Sequence, residues 1–271
     1  MLYQLSYSPV THIANSESSL TKVARHILVI GDSLTFHGPD TRYPPGEPGL
    51  WPNVVARELS AHRSGASDDW TIDLYARMGW TARDAWWAVT KDPNIWGTSL
   101  PRSEAVILAV GGMDALPSAM PTWLREGIPY VRPASVRRRV RTAYTTLSPR
   151  VIQASGGRFR QLSQTATDHY LRRIVQVIRL YYPDLPIFLM TPPGPYQSPM
   201  YPVVADHASA VTAARQFGER ESVTVLDVEQ LVNEGHERGD ANPDGIHWSW
   251  SMHEQAGQLI GQTLIDHGVT D

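Results

Sequence analysis

Short apolar runs alternate with longer amphipathic stretches along the chain. Runs rich in Val, Ile, Leu or Tyr predict buried strands at residues 27–30, 71–76, 105–110, 187–190 and 223–227. Helical periodicity predicts helices at residues 52–62, 81–90, 167–181, 206–220 and 251–266. This alternation of strand and helix indicates a parallel sheet that is covered by helices on both faces.

Right-handed crossovers then favour a single-domain, three-layer α/β sandwich with a five-stranded, flavodoxin-like sheet. We expect an N-terminal extension over residues 1–24 and one domain over residues 25–271. Three long connections, at residues 37–51, 116–161 and 191–202, would leave from the same edge of the sheet. The second of them is expected to be a lid-like insertion over a site at that edge.

Composition narrows the classes of function. Hydrophobic residues are 42% and charged residues 19%, which is typical of a globular protein. A formal net charge of −3 offers no overall attraction to nucleic acid or to an anionic membrane, so we expect no nucleic-acid partner. The absence of cysteine excludes disulfides and thiolate catalysis and fits a cytoplasmic protein. No apolar run is long enough to span a bilayer.

Candidate chemistry begins where the first predicted strand ends, at Gly31-Asp32-Ser33-Leu34. A tight turn there would hold the hydroxyl of Ser33 at the carboxyl edge of the sheet, as a nucleophile. Asp244-Gly245-Ile246-His247 lies just before the last predicted helix. A serine becomes reactive when a base accepts its proton, which is the predicted role of His247, and Asp244 would fix the imidazole tautomer.

A structural role is the alternative for the second motif, because an isolated Asp-x-x-His often only closes a turn. Its combination with the serine motif favours catalysis. Ser251 and Glu254 have the spacing of a capping box, which predicts that the last helix starts just after His247 and anchors that turn.

These motifs resemble those of the SGNH (GDSL) hydrolase family. The resemblance implies that Ser33 is the nucleophile, that Asp244 and His247 complete the triad, and that the backbone N–H of Gly79 stabilises the oxyanion. The family's third block is usually Gly-x-Asn-Asp, whose Asn side chain also donates to the oxyanion. Here that block is Gly111-Gly112-Met113-Asp114.

Met113 therefore departs from the family pattern, because a thioether donates no hydrogen bond. Loss of one oxyanion donor costs about 3 kcal/mol of transition-state stabilisation. Either the N–H groups of Ser33 and Gly79 suffice with another donor, or the site is tuned away from hydrolysis. Asp32 and Asp114 are expected to support their loops through hydrogen bonds. With Gly112, they complete the predicted oxyanion and substrate-binding region.

Further segments match at residues 31–39, 76–80 and 112–117 and at the arginine run of residues 132–141. Together they resemble the mycobacterial-type diglucosylglycerate octanoyltransferases, a group within this family. That resemblance implies transfer of an octanoyl group from octanoyl-coenzyme A or an acyl carrier protein to a glucosylglycerate, in methylglucose lipopolysaccharide synthesis. Both substrates are then co-substrates, and no cofactor or metal is expected. Two alternatives stay open: an esterase or carbohydrate deacetylase that uses water, and a non-catalytic carbohydrate or lipid binder, which Met113 favours.

Further residues are candidates for substrate contacts. Trp80 directly follows Gly79 and is the favoured wall of an acyl pocket; weaker candidates are Trp86, Trp87, Met120, Trp123 and Leu124, for which core packing is the alternative. Arg137, Arg138 and Arg141 form a possible anion-binding patch, although a solvated helix face is the alternative. The spacing of His37, His207 and His236 does not indicate a metal site.

Overall fold

The computed structural model describes residues 24–62, 69–125, 127–196, 198–202 and 207–270. Almost all of the predicted extension, residues 1–23, lies outside them. Seven strands occur in this part of the chain: β1 (Arg25–Gly31), β2 (Trp70–Ala76), β3 (Ser103–Ala109), β4 (Pro117–Ser118), β5 (Phe159–Arg160), β6 (Ile187–Met190) and β7 (Thr224–Leu226). Five of them form a parallel sheet in the order β2-β1-β3-β6-β7, and β4 pairs with β5 in a separate antiparallel pair.

Ten α-helices lie in the described residues: α1 (Trp51–His62), α2 (Ala82–Lys91), α3 (Leu100–Arg102), α4 (Gly112–Ala115), α5 (Thr122–Arg125), α6 (Ala134–Ser155), α7 (Gln164–Tyr181), α8 (His207–Glu221), α9 (Glu229–Glu237) and α10 (Trp250–Asp266). The five predicted strands and five predicted helices are confirmed, with ends that differ by up to three residues. The predicted flavodoxin-like α/β fold is confirmed as well.

Alternate residues of the central strands supply the two halves of the core. Ile27 and Val29 of β1 pack with α1 and α10 on one face, whereas Leu28 and Ile30 pack with α2, α7 and α8 on the other. All four side chains are fully buried. A strand buried on both faces has no polar positions to alternate with, which explains the continuous apolar run in its sequence.

The connection at residues 116–161 is more regular than expected, because it contains the 22-residue helix α6. Only Ser148 and Ile152 of α6 are buried. A helix that covers so little of the core carries a weak amphipathic pattern, so its sequence did not predict it. Helix α9 was missed too, since it is only nine residues long.

The start of α10 differs from the expectation. Ser249 is its N-cap, and its Oγ accepts a hydrogen bond from the N–H of Met252 at 3.0 Å. Ser251 lies within the first turn and accepts a hydrogen bond from the side chain of Gln255. The predicted capping box of Ser251 and Glu254 was therefore wrong, because the N-cap is Ser249, two residues before Ser251.

No helix in these described ranges is both long and apolar enough to cross a bilayer.

Helices α1 and α10 approach each other closely at Gly257. A Cβ atom there would lie 2.4 Å from Cβ of Val54 and 2.9 Å from the carbonyl oxygen of Trp51. We expect Gly257→Ala to lower the free energy of unfolding by roughly 1–3 kcal/mol, despite the higher helix propensity of alanine. Urea unfolding measures this change. Gly46→Ala is the control, because no atom lies within 4 Å of its added Cβ; equal stability of the two variants would contradict the prediction.

Candidate active site

Ser33 lies in a rigid turn at the carboxyl end of β1. It begins a single 3₁₀ turn, Ser33–Thr35, whose N-cap is Asp32. The Asp32 carboxylate accepts a hydrogen bond from the N–H of Leu34 at 3.0 Å, and the indole N–H of Trp51 donates to the carbonyl of Leu34 at 3.0 Å. Strand β1, the Asp32 cap and helix α1 thus hold Ser33 beside β3. The strand order reverses between β1 and β3, and open parallel sheets bind their ligands at such a point.

The loop before α10 brings a carboxylate and an imidazole to this serine. Asp244 Oδ1 accepts hydrogen bonds from the N–H groups of Ile246 at 2.8 Å and His247 at 2.6 Å. Asp244 Oδ2 lies 2.7 Å from His247 Nδ1, and His247 Nε2 lies 3.1 Å from Ser33 Oγ. The structure therefore brings together Ser33, His247 and Asp244 in the order that a serine nucleophile requires.

The electrostatics of the site favour a neutral imidazole. Burial lowers the pKa of His247, and its neighbour His37 lowers it further, so that the net pKa is below the usual value although Asp244 acts in the other direction. Partial burial raises the pKa of Asp244, but hydrogen bonds from His247 and Ile246 outweigh it and leave the pKa low. An ionised Asp244 holds the proton of His247 on Nδ1 and leaves Nε2 free to accept the proton of Ser33.

Two further histidines support the catalytic ring. The ring of His37 stacks on that of His247, with centroids 3.6 Å apart and planes 15° apart. His253 accepts a hydrogen bond from the N–H of Trp51 at Nδ1 and donates from Nε2 to the carbonyl of His37. Burial lowers the pKa of His253 to about 4, so this ring is neutral. The closeness of His37 to Ser33 in the sequence was a weak indication that it lies at the site. No feature of the sequence indicated this for His253.

The distances alone would allow a metal ion between His37, Asp244 and His247, whose potential ligand atoms lie within 4.8 Å of one another. The spacing of the histidines in sequence gave no sign of this cluster. The nearly parallel rings of the two histidines work against shared ligation, because the lone pair of an imidazole nitrogen lies in the plane of its ring. His207, which the sequence analysis also considered, is not part of this cluster and hydrogen-bonds the carbonyl of Pro192.

Gly79 and Met113 are neighbours in space. Gly79 adopts the left-handed conformation, with φ of +73°, in the turn after β2. A Cβ atom on Gly79 would lie 3.8 Å from Cε of Met113. Gly112 is packed against Pro193 and the hydroxyl of Tyr196, which would lie 2.8 and 3.2 Å from an added Cβ. The side chain of Met113 therefore borders the glycine to which the family resemblance assigns an oxyanion donor.

Asp114 connects two helices. Its carboxylate accepts hydrogen bonds from the N–H of Ala82, at the start of α2, and from Oγ1 of Thr167 on α7 at 2.9 Å. Burial raises the pKa of Asp114 to about 6. Burial, with a smaller contribution from the charge of Asp114, raises the pKa of Asp32 to about 7. Both acids are therefore buried, and the charge of Asp114 acts on Asp32.

Two of the predicted aromatic walls, Trp80 and Trp87, line the same groove. Arg77 and further residues of α2 also line this groove, whereas Ser33, Asp244 and His247 do not. Trp86 lies against the guanidinium of Arg173 on α7, at 4.3 Å from its ring centroid. The side chain of Trp123 is outside the described part of the structure.

The predicted anion-binding arginines do lie together. Arg137, Arg138 and Arg141 line one cavity on α6, which they share with Arg125.

Comparison with known proteins places this geometry in a family. The model of the GDSL-like Lipase/Acylhydrolase family matches residues 29–255, which include Ser33, Asp244 and His247. This chain belongs to that family. Similar relatives are the diglucosylglycerate octanoyltransferases of Mycolicibacterium hassiacum and Mycobacterium tuberculosis. Each is 37% identical over 90% of this chain, and the match covers 96% and 93% of their respective lengths.

A solved structure has the same fold. The lipase/acylhydrolase from Enterococcus faecalis superposes with a TM-score of 0.60 at 18% identity, over 90% of this GDSL-family chain and 96% of the other. At that identity the likeness concerns the fold alone.

The buried acid at position 32 makes stability depend on pH. Because its folded pKa is about 7, against an ordinary value of 3.8, the folded state binds more protons than the unfolded state between these values. The free energy of unfolding of the native protein relative to Asp32→Asn should therefore fall as pH rises from 4 to 7. The fall is at most about 4 kcal/mol, and because the group is only half ionised at its folded pKa, the curve levels off about one pH unit above that value.

Urea unfolding across this pH range measures the difference in free energy of unfolding between the native protein and Asp32→Asn. The contributions of His247 and His253 cancel in this difference, because both proteins contain these residues. Asp266→Asn, at an exposed position near the end of α10, is the control and should follow the native curve. A constant difference between the native protein and Asp32→Asn would contradict the prediction.

Proposed function

We propose that this protein is a serine-dependent acyltransferase that moves an octanoyl group from an acyl thioester to a hydroxyl of a glucosylglycerate. The hydrogen-bonded series Ser33, His247, Asp244 carries the proposal, because it activates an alcohol for attack on an acyl group. Similarity to the two octanoyltransferases supports the choice of donor and acceptor. The proposed pathway is methylglucose lipopolysaccharide synthesis, and the proposed compartment is the cytosol, where acyl thioesters are available.

The first half-reaction forms an acyl-enzyme. His247 Nε2 takes the proton of Ser33 as Oγ attacks the thioester carbonyl carbon. The tetrahedral oxyanion accepts hydrogen bonds from the backbone N–H groups of Ser33 and Gly79. When this intermediate collapses, the C–S bond breaks and the thiolate receives the proton from His247. The products are octanoyl-Ser33 and the free thiol.

The second half-reaction reverses these roles. A hydroxyl of the sugar acceptor gives its proton to His247 and attacks the ester carbonyl carbon. Collapse breaks the bond to Ser33 Oγ, which recovers the proton from His247. Asp244 stabilises the imidazolium in both halves. The scheme predicts ping-pong kinetics with respect to donor and acceptor.

Hydrolysis is the second candidate, favoured by membership of a family that includes acylhydrolases. The same triad transfers the acyl group to water if water reaches octanoyl-Ser33 before the sugar does. Transfer therefore requires that the acceptor and its surroundings exclude water from the ester.

The first test incubates the protein with octanoyl-coenzyme A, with and without a glucosylglycerate. We expect octanoyl ester of the acceptor and a covalent adduct of one octanoyl group, both of which are lost in Ser33→Ala because the nucleophile is absent. Mass spectrometry detects the adduct, and chromatography quantifies ester and free octanoate.

Ser60→Ala is the control, since Ser60 lies on α1 and its Oγ bonds the carbonyl of Ala56. Equal amounts of free octanoate with and without the acceptor would favour hydrolysis. Undiminished transfer by folded Ser33→Ala would exclude the scheme.

A second test concerns the missing oxyanion donor. Met113→Asn introduces a side-chain N–H beside Gly79, so we expect faster acylation of Ser33, by up to roughly 100-fold. The burst of p-nitrophenol released from p-nitrophenyl octanoate measures that rate. Met113→Leu is the matched control, because it keeps an apolar side chain and adds no donor. Equal burst rates for the Asn and Leu variants would show that position 113 does not face the oxyanion.

A further inference from the structure

The insertion at residues 116–161 is strongly cationic, in contrast to the slightly acidic chain. It contains nine arginines and one carboxylate, that of Glu126. Arg137, Arg138 and Arg141 lie on the exposed helix α6, and none of them has an ion-pair partner among the residues described. An excess of unpaired guanidinium groups on one segment favours an anionic ligand over a neutral one.

Four of these arginines face a cavity of about 670 Å³, within the range of small-molecule sites. Its lining is Arg125, Ile128, Pro129, Arg137, Arg138, Arg141, Tyr144 and Thr145. Nη2 of Arg125 donates to the carbonyl of Gln161, but its buried Nη1 has no hydrogen-bond partner in the described structure. An unpartnered guanidinium N–H is costly, and rotation of the Arg125 side chain toward a phosphate in the cavity would give this atom an acceptor.

A neighbouring tyrosine connects the cavity to the core beside the active site. Tyr201 packs against the core cluster to which Met113 also belongs. Burial raises the pKa of Tyr201, and two cavity residues act on it, Tyr144 raising the pKa and Arg125 lowering it. Hydrogen bonds also place Arg125 near α4. It donates to the carbonyl of Gln161, and the N–H of Gln161 donates to the carbonyl of Leu116 at 2.8 Å, directly after the helix that carries Met113.

We propose that this arginine cavity binds the phosphate groups of a coenzyme A thioester donor. This inference rests on the proposed function, and it locates the coenzyme A part of the acyl donor in the arginine cavity. The guanidinium groups would form charge-assisted bonds to the diphosphate and 3′-phosphate, and Tyr144, Ile128 and Pro129 offer surfaces for the adenine ring. The linear pantetheine arm would extend from the cavity toward Ser33.

The number of arginines favours the acyl donor over the sugar acceptor as the ligand of this cavity. A glucosylglycerate has one carboxylate, for which a single bidentate arginine suffices. Coenzyme A has three phosphate groups near one end, which matches a site with four arginines. Nucleic acid is disfavoured because these arginines line a cavity instead of an extended surface stripe.

Binding of coenzyme A itself tests the assignment without any catalytic step. We expect Arg141→Gln and Arg138→Gln each to weaken binding by roughly tenfold, measured by calorimetry at fixed low salt. In the native protein, affinity should decrease from coenzyme A to dephospho-coenzyme A to pantetheine, and should fall as salt rises. The matched control is Arg139→Gln, because Arg139 is on the same helix but does not line this cavity.

A phosphate-free donor separates this proposal from the proposed function. With the octanoyl thioester of N-acetylcysteamine, both cavity variants should form octanoyl-Ser33 at the native rate. Equal binding of coenzyme A by the native protein and both cavity variants would overturn the site while leaving the acyltransferase intact. The site would also be overturned if the cavity variants lost affinity only for the glucosylglycerate. It would be overturned as well if the native protein used acyl carrier protein as donor and did not bind coenzyme A. Failure of native protein to accept any octanoyl thioester would instead overturn the proposed function.

Discussion

The carboxylate of Asp244 is the interaction on which the geometry of the site depends. One oxygen accepts the N–H groups of Ile246 and His247, and the other binds the imidazole of His247. The same group thus shapes the loop and orients the ring that it carries. Because these bonds are made to the ionised form, the loop conformation and the tautomer of His247 are maintained together.

Two further histidines, His37 and His253, also hold His247 in place. His37 stacks on its ring, and His253 fixes the backbone of His37 through one nitrogen while it receives the N–H of Trp51 at the other. Trp51 also binds the carbonyl of Leu34 in the serine turn. Helices α1 and α10 therefore both contribute to the separation of Ser33 and His247, and they pack closely at Gly257.

The buried acids beneath the site have a structural task. Asp32 caps the turn of Ser33, and Asp114 joins α2 to α7. Burial raises the pKa of both groups, so the ionised forms destabilise the fold near neutral pH. The protein retains two polar anchors under its active site at this cost to stability. Met113, in contrast, puts an apolar group beside Gly79, where the family pattern has an amide donor.

Local sequence determined the parallel sheet, the turn that bears Ser33 and the identity of Asp244 and His247. These features depend on short-range properties: apolar runs, helical periodicity and motifs of four residues. The sequence also carried the family resemblance, which the comparisons confirm. It was less informative where a helix covers little of the core, so α6 was missed, and where two serines compete to cap α10.

Only the tertiary structure decided which distant groups meet. The stack of His37 on His247, the position of Asp114 between α2 and α7, and the cavity shared by Arg125 and Arg141 join segments that are far apart or differently folded. Periodicity reports which face of an element is buried, but not which side chain of another element it contacts. Those contacts follow from the order and twist of the sheet and from helix packing, which no local pattern encodes.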